Sequence, residues 1–443
     1  MSGAEVGKAE AGAPAGTAAS TAAARSAKIG AMVACCALGV ALVVTVALTT
    51  PWHPLPGPGV PVDPARDFTA AELAREHAFS ADVRPAGYLG LAASLLAVLI
   101  LGLSPLGARL LGYVVRPARW WPLGVVAAAV AITAVPRVAA LPFAAWSEVV
   151  LHRYGLSTRA WPGWALDQLT SFAVNAVIWA VALFLLHLLV RRFPRYWWAP
   201  AAAGGFLLVV VVSFVYPLLV EPLFNSFTPL RDGPLRTELL QLAKTDHVAV
   251  RDVLVADASR RTSALNAYVS GFGSTRRIVV YDTLLRSTPP GEIKLIVAHE
   301  LGHAKRGDVL YGTLIGGLAV ATGACGLYLL VTSPRLLRRA GVASVADPRS
   351  VALLLALVTL GTQLAGPAQN LVSRRIEARA DVHSLDLTHD PRTFIRMQRA
   401  LSVRNISDLR PNPIEYALWA THPTGPERIA LARTWGRLHG MPS

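Results

Sequence analysis

Long apolar runs separated by short charged connectors dominate the chain. Seven of them, at about residues 30–50, 87–111, 120–146, 169–190, 198–219, 309–331 and 351–372, hold almost no charge. Each approaches the roughly 20 residues that a helix needs to cross a hydrocarbon core. The runs are continuous rather than alternating, which selects a helical bundle over a barrel. Interfacial residues frame several of them: Trp120 and Trp121 open the third, while Arg191, Arg192 and Arg195 close the fourth. The pattern predicts a mainly α fold, a multi-span transmembrane helical bundle of about seven helices. Two polar stretches interrupt it. Residues 221–308 would form a small α+β catalytic domain inserted between the fifth and sixth spans, and 373–443 a C-terminal helical block. The expected organisation is a tail at 1–29, five spans in 30–220, the insert at 221–308, two spans in 309–372 and the terminal block at 373–443.

Inside the insert, "DGPLRTELLQLAKTDHV" spaces Leu235, Leu239, Leu240 and Leu242 as a helix does. "VRDVLVADA" and "RRIVVYDTLL" read as strands on either side of a Gly-rich turn, "SGFGST". In "STPPGEIKLIVAHELGHAKRG", Pro289 and Pro290 mark a helix start and Glu292 falls in its first turn. The opening residues are almost all Ala, Gly, Ser and Thr, too few apolar groups to offset ordering, and predict a disordered tail. The first apolar run is longer than the core of a signal peptide and no small-residue cleavage site follows it, so it reads as an uncleaved span.

Composition agrees: 53% of the 443 residues are hydrophobic and 16% charged, which excludes an ordinary soluble protein. The formal charge of +15 invites a nucleic-acid reading, but the arginines gather at the ends of apolar runs and form no basic stripe with interleaved aromatics. The expected partners are the lipid bilayer and a peptide or membrane-associated protein, with no nucleic acid. Cys35, Cys36 and Cys325 all lie in apolar runs and make neither a zinc-binding pair nor a disulfide framework.

The chemistry concentrates in "IVAHELGHAKRGDVL". Residues four apart on a helix differ by about 40° around the axis and about 6 Å along it. His299 and His303 can therefore reach one tetrahedral zinc ion from the same face. Glu300, rotated by about 100°, can act as general base on the activated water. The segment from Lys305 to Asp308 reads as the place where this helix enters the bilayer. A third protein ligand must come from elsewhere. The seventh run ends in "NLVSRRIEARADVHSLDL", where Glu377 lies on a helical stretch with Asp381 on the same face. Glu377 is one candidate; its alternative role is pairing with Arg374, Arg375 or Arg379. His383 and His422, the latter before Pro423 in a turn, are rival ligands.

The chain as a whole resembles the type I CAAX prenyl protease family, integral-membrane zinc metalloproteases of the gluzincin kind. The matching stretches are "EPLFNSFTPLRDGPLR", "DASRRTSALNAYVSGFGSTRRIVVYDTLL", "IVAHELGHAKRGD", "SRRIEARAD" and "THPTGPERI", in the family's order. The resemblance implies that His299, His303 and Glu377 bind one zinc ion and that Glu300 is the base. It implies that Asp381 is a proton donor or a carboxylate behind the ligands, where it could orient His299 or His303. It further implies that Asn266 binds substrate backbone and that His422 stabilises the tetrahedral intermediate. Where the family often carries a His shortly before this Asn, the chain has Ala264 and Leu265.

The expected activity is that of a membrane-embedded zinc metalloendopeptidase resembling the CAAX prenyl proteases. The alternatives are a quality-control protease for misfolded membrane proteins and a non-catalytic multi-span protein with structural zinc. The intact Glu300 argues against the last, since a structural site has no use for a base. The resemblance implies a multi-pass cell-membrane protein with its catalytic side towards the cytoplasm. The arginines of the short loops, among them Arg109, Arg116, Arg119 and Arg335, argue for the reverse.

Overall fold

The computed structural model describes residues 15–441 except 117, 119 and 272. Among the described residues, seven helices are long and apolar enough to cross a membrane. Five precede the insert: α1 (Ala15–Thr49), α2 (Ala70–Leu103), α3 (Trp121–Arg153), α4 (Trp161–Arg192) and α5 (Trp198–Leu219). α2 packs along α3, while α1 and α5 both pack against a later span. The expected tail splits in two. Residues 1–14 lie outside the described residues, as does Arg119. From Ala15 onward the chain is helical and runs unbroken into the first span, which corrects the expectation of disorder there. Ala is the strongest helix former, and a span already formed removes the cost of nucleation.

The second span also differs from its expected limits. It begins at Ala70 behind a capping box, in which the Thr69 hydroxyl accepts from the Glu72 N–H and the Glu72 carboxylate accepts from the Thr69 N–H. It stops at Leu103 because Ser104 caps a new helix, Pro105–Val115, whose Pro105 cannot continue the previous hydrogen-bond ladder.

The insert forms β1 (Phe227–Pro229), α6 (Pro234–Thr245), β2 (Asp252–Ala256), β3 (Ala267–Ser270), β4 (Arg277–Tyr281) and α7 (Pro290–Arg306). The sheet order is β1-β2-β4-β3, with β2 and β4 parallel and both outer pairs antiparallel. The two expected strands are β2 and β4. Strands β1 and β3 were not foreseen, being three and four residues long.

Two spans follow, α8 (Asp308–Val331) and α9 (Val351–Thr388), then α10 (Pro391–Arg404), α11 (Pro413–Trp419) and α12 (Gly425–Leu438). α9 is one helix of 38 residues that leaves the apolar zone and continues into the polar block. Its last turns share a single hydrophobic core with the insert and the terminal helices, in which Ile278, Val297, Leu301, Leu385, Phe394 and Trp435 are all buried. Ion pairs fix this block to the spans: Arg261 grips Asp167 of α4 at 3.0 and 3.1 Å, and Arg399 grips Glu72 of α2 at 2.7 Å.

Candidate metal centre

α7 starts at Pro290 and carries the two histidines on the face turned to α9. It does not run on into the sixth span. Gly307 adopts a left-handed conformation (φ 69°) that terminates α7, and α8 starts afresh at Asp308. This corrects the reading of Lys305–Asp308 as one helix passing into the membrane; Lys305 instead pairs with buried Asp246 at 2.7 Å. Gly reaches positive φ at no steric cost, which is why the break falls there.

His299, His303 and Glu377 converge, their ligand atoms all within 4.8 Å of one another. His299 Nε2 lies 3.2 Å from His303 Nε2 and 3.2 Å from Glu377 Oε2, and His303 Nε2 lies 3.5 Å from Glu377 Oε1. Bonds of about 2.0–2.1 Å at tetrahedral angles imply ligand–ligand edges of about 3.3 Å. The His–His separation matches such an edge, and each imidazole reaches one of the two Glu377 oxygens at close to that distance, so the three side chains converge closely enough to share one ion. The donor set of two imidazoles and a carboxylate suits zinc.

Each imidazole is fixed from behind through Nδ1. The buried carboxylate of Asp381 lies 2.9 Å from His299 Nδ1 and accepts from Arg428 Nε at 2.8 Å. Asp308 lies 2.8 Å from His303 Nδ1 and also accepts from Arg379. Asp381 was expected either as a proton donor or as a carboxylate behind one of the two histidines; its carboxylate lies against His299 Nδ1. None of Asp308, Arg379 and Arg428 was linked to the histidines from the sequence, where Arg379 was weighed only as a partner of Glu377, because that relation exists only once α7, α9 and α12 pack together.

Glu300 sits one residue beyond His299, beside a small cavity bounded by Val269, Gly271 and His303. Burial pushes its carboxyl above the usual range, against the pull of the two histidines. His422 occupies the loop before α12, its Nε2 3.4 Å from Glu377 Oε1. Thr421 Oγ1 lies 2.9 Å from His422 Nδ1; with that hydroxyl donating, the ring proton sits on Nε2 and points at the cluster. Desolvation lowers the pKa of this imidazole and favours the neutral form. The rival ligand His383 turns away, its Nε2 bonded to Asp246 at 2.8 Å.

Asn266 precedes β3 and faces a cavity of about 960 Å³ that also reaches His422 and Arg428. Arg84 and Tyr88 of α2, Ser147 of α3 and Gln363 of α9 line the same space, so it extends from His422, beside the cluster, in among the spans. The residue before Asn266 is held by Asn405, which accepts from the Leu265 N–H at 2.9 Å and donates to its carbonyl at 3.3 Å. β3 is an edge strand. The Tyr281 N–H donates to the Asn266 carbonyl, so Tyr268 and Ser270 also bond towards β4 while Ala267 and Val269 present N–H and C=O outward.

Known proteins resemble this chain in sequence and fold. The sequence pattern of peptidase family M48 matches residues 229–436, and that of the CAAX prenyl protease N-terminal region, five membrane helices, matches residues 88–226. The chain belongs to peptidase family M48. This M48 chain is 31% identical over 284 residues to an uncharacterized metalloprotease, YhfN, of Bacillus subtilis, covering 63% of the chain and 66% of that protein. It is 33% identical over 230 residues to the CAAX prenyl protease 1 homolog of Arabidopsis thaliana, covering 49% of the chain and 52% of the relative. The chain thus spans about two thirds of the first relative and about half of the second. The crystal structure of S. mikatae Ste24p superposes with a TM-score of 0.70 over 91% of this chain and 98% of the other, at 20% identity, so the two share a fold.

Proposed function

We propose that this M48 chain is a zinc metalloendopeptidase that cleaves peptide bonds at the membrane boundary. The observation that carries it is the convergence of His299, His303 and Glu377 within 4.8 Å, with Glu300 beside them and a cavity alongside that reaches His422. Zinc held by those three residues would supply Lewis acidity, acidifying water towards a pKa of about 7 and polarising a carbonyl. Glu300 takes the proton of the attacking water and returns it to the departing amine. The Nε2–H of His422 donates to the oxygen that becomes negative in the transition state. The substrate lies extended along the free edge of β3, bonding to the outward groups of Ala267 and Val269, and Asn266 holds its backbone from the side. Asp381 keeps His299 in the tautomer that presents Nε2 to the metal, which suits a supporting role better than proton donation.

Several relatives are named CAAX prenyl protease 1, and we take a prenylated, membrane-associated peptide as the first substrate class to try. An unmodified membrane-protein fragment represents quality control. The test is turnover of both peptides by the purified protein and by Glu300→Ala, with zinc measured in each. The proposal expects one zinc per chain in both proteins and hydrolysis only by the wild type. Equal background turnover in the two zinc-loaded proteins would refute it.

The site is assigned to the cytoplasmic side on the family likeness. The opposite end of the bundle collects Arg109, Arg116, Arg191, Arg335 and Arg338, a bias that by itself selects the cytoplasm for that end. Arg410→Cys, made with the three native cysteines replaced, separates the arguments. The assignment expects labelling by an impermeant maleimide only after permeabilisation; labelling of intact cells would reverse it.

A further inference from the structure

Asp308 stands five residues after His303. On a continuous helix that offset would turn the two side chains about 140° apart. They meet at 2.8 Å because the left-handed Gly307 breaks the helix between them and swings the first residue of α8 back over the last turn of α7. The other oxygen of Asp308 is held by Arg379, two residues beyond Glu377 on α9. Both side chains are mostly buried, 12% and 21% exposed. The result parallels the other histidine. Arg428, Asp381 and His299 form one chain of contacts, and Arg379, Asp308 and His303 form a second.

We infer that Asp308 is a positioning residue for His303, fixing the ring in the tautomer and rotation that turn Nε2 towards Glu377. An imidazole that donates from Nδ1 to a carboxylate must keep its Nε2 lone pair free for a metal, and its orientation is set by that bond. Among the described residues Asp308 is the hydrogen-bond partner of His303 Nδ1, and without it the 3.2 Å and 3.5 Å approaches to His299 and Glu377 lose their restraint. The competing role for Asp308 is local: a negative charge in the first turn of a helix is favourable by itself. That role would act on the stability of α8 and leave the metal geometry alone.

The inference rests on the zinc reading of the cluster, and the experiment keeps the two apart. Wild-type protein, Asp308→Asn and Asp308→Ala are purified in detergent. Zinc affinity is measured by chelator competition, and the visible spectrum of the cobalt-substituted form reports ligand geometry. We expect zinc affinity to fall about 10–100-fold in Asp308→Ala, with a weakened and shifted cobalt spectrum, and by less in Asp308→Asn, whose amide oxygen still accepts from Nδ1. The near-isosteric Asn variant keeps the test alive if Ala disturbs folding. Unchanged zinc affinity and an unchanged cobalt spectrum in both variants, even with a lowered melting temperature, would overturn the inference and leave the zinc reading intact. A wild-type protein that binds neither metal would overturn both.

Discussion

Replacing Gly302 with Ala sets two effects of opposite sign against each other. Gly302 lies in the interior of α7, where Ala is favoured over Gly by about 1 kcal/mol. On an unobstructed helix the substitution would stabilise. Here the new methyl would lie 3.0 Å from both Cβ and Cδ2 of His383 on α9. Carbon atoms normally rest about 3.5–4.0 Å apart. His383 cannot simply swing aside, since its Nε2 is bonded to buried Asp246 at 2.8 Å. Either α7 and α9 separate by about half an ångström, at about 1–3 kcal/mol for overpacking, or the ring leaves Asp246 with a buried partner unmet, at about 1–3 kcal/mol. Clash therefore offsets or outweighs propensity, for a net loss of up to about 2 kcal/mol. The metal should feel it more sharply. His299 and His303 ride on α7 and Glu377 on α9, with edges of 3.2 and 3.5 Å. Half an ångström more takes those edges to about 3.7–4.0 Å, past the about 3.3 Å that zinc bonds span. Gly302→Ala should lower the melting temperature in detergent and weaken zinc binding about tenfold, read by chelator competition. Adding His383→Ala should restore much of the zinc affinity, as coupled neighbours do. A raised melting temperature with unchanged zinc affinity in the single variant would refute this reasoning.

Other expectations concern the surroundings of the cluster. His422→Ala should keep its zinc and lose about 10²–10³ in kcat, the range for one oxyanion donor; a rise in KM alone would show instead that the loop only binds substrate. Asp381→Ala strands the buried guanidinium of Arg428, which gives up its carboxylate partner, so it should cost about 3–5 kcal/mol of stability as well as zinc affinity. Asp381→Asn should spare most of the fold and lose about tenfold in zinc affinity; equal melting temperatures for all three proteins would contradict the buried-pair argument. Glu377→Ala should lose bound metal outright, and stoichiometric zinc in that variant would move the third-ligand role elsewhere.

Much of this molecule is legible along the chain because its strongest signals are local. Seven apolar runs became seven candidate spans, and four-residue spacing brought His299 and His303 together on one helix. β2 and β4 announced themselves through consecutive Val, Leu and Ile, whereas β3 is four residues of mixed character whose identity comes from pairing with β4. The tail was misread because the argument weighed burial and not propagation: an Ala-rich segment next to a span needs little else to be helical. The helix break at Gly307 had a visible signal, a Gly following Lys and Arg as at many helix ends. What no local pattern carries is the set of partners behind the ligands. Asp308 reaches His303 only through that break, Arg428 reaches Asp381 from 47 residues away, and Asp246 meets His383 across 137 residues.

The central claim is that one zinc ion is held between the inserted helix and the last span by two imidazoles and a carboxylate. X-ray absorption at the zinc edge of the purified protein tests it directly. The account predicts one zinc per chain, two nitrogen neighbours with imidazole scattering and one carboxylate oxygen, all at about 2.0–2.2 Å, and no bound zinc in Glu377→Ala. A metal-free protein, a sulfur neighbour, or an unchanged spectrum in that variant would contradict it.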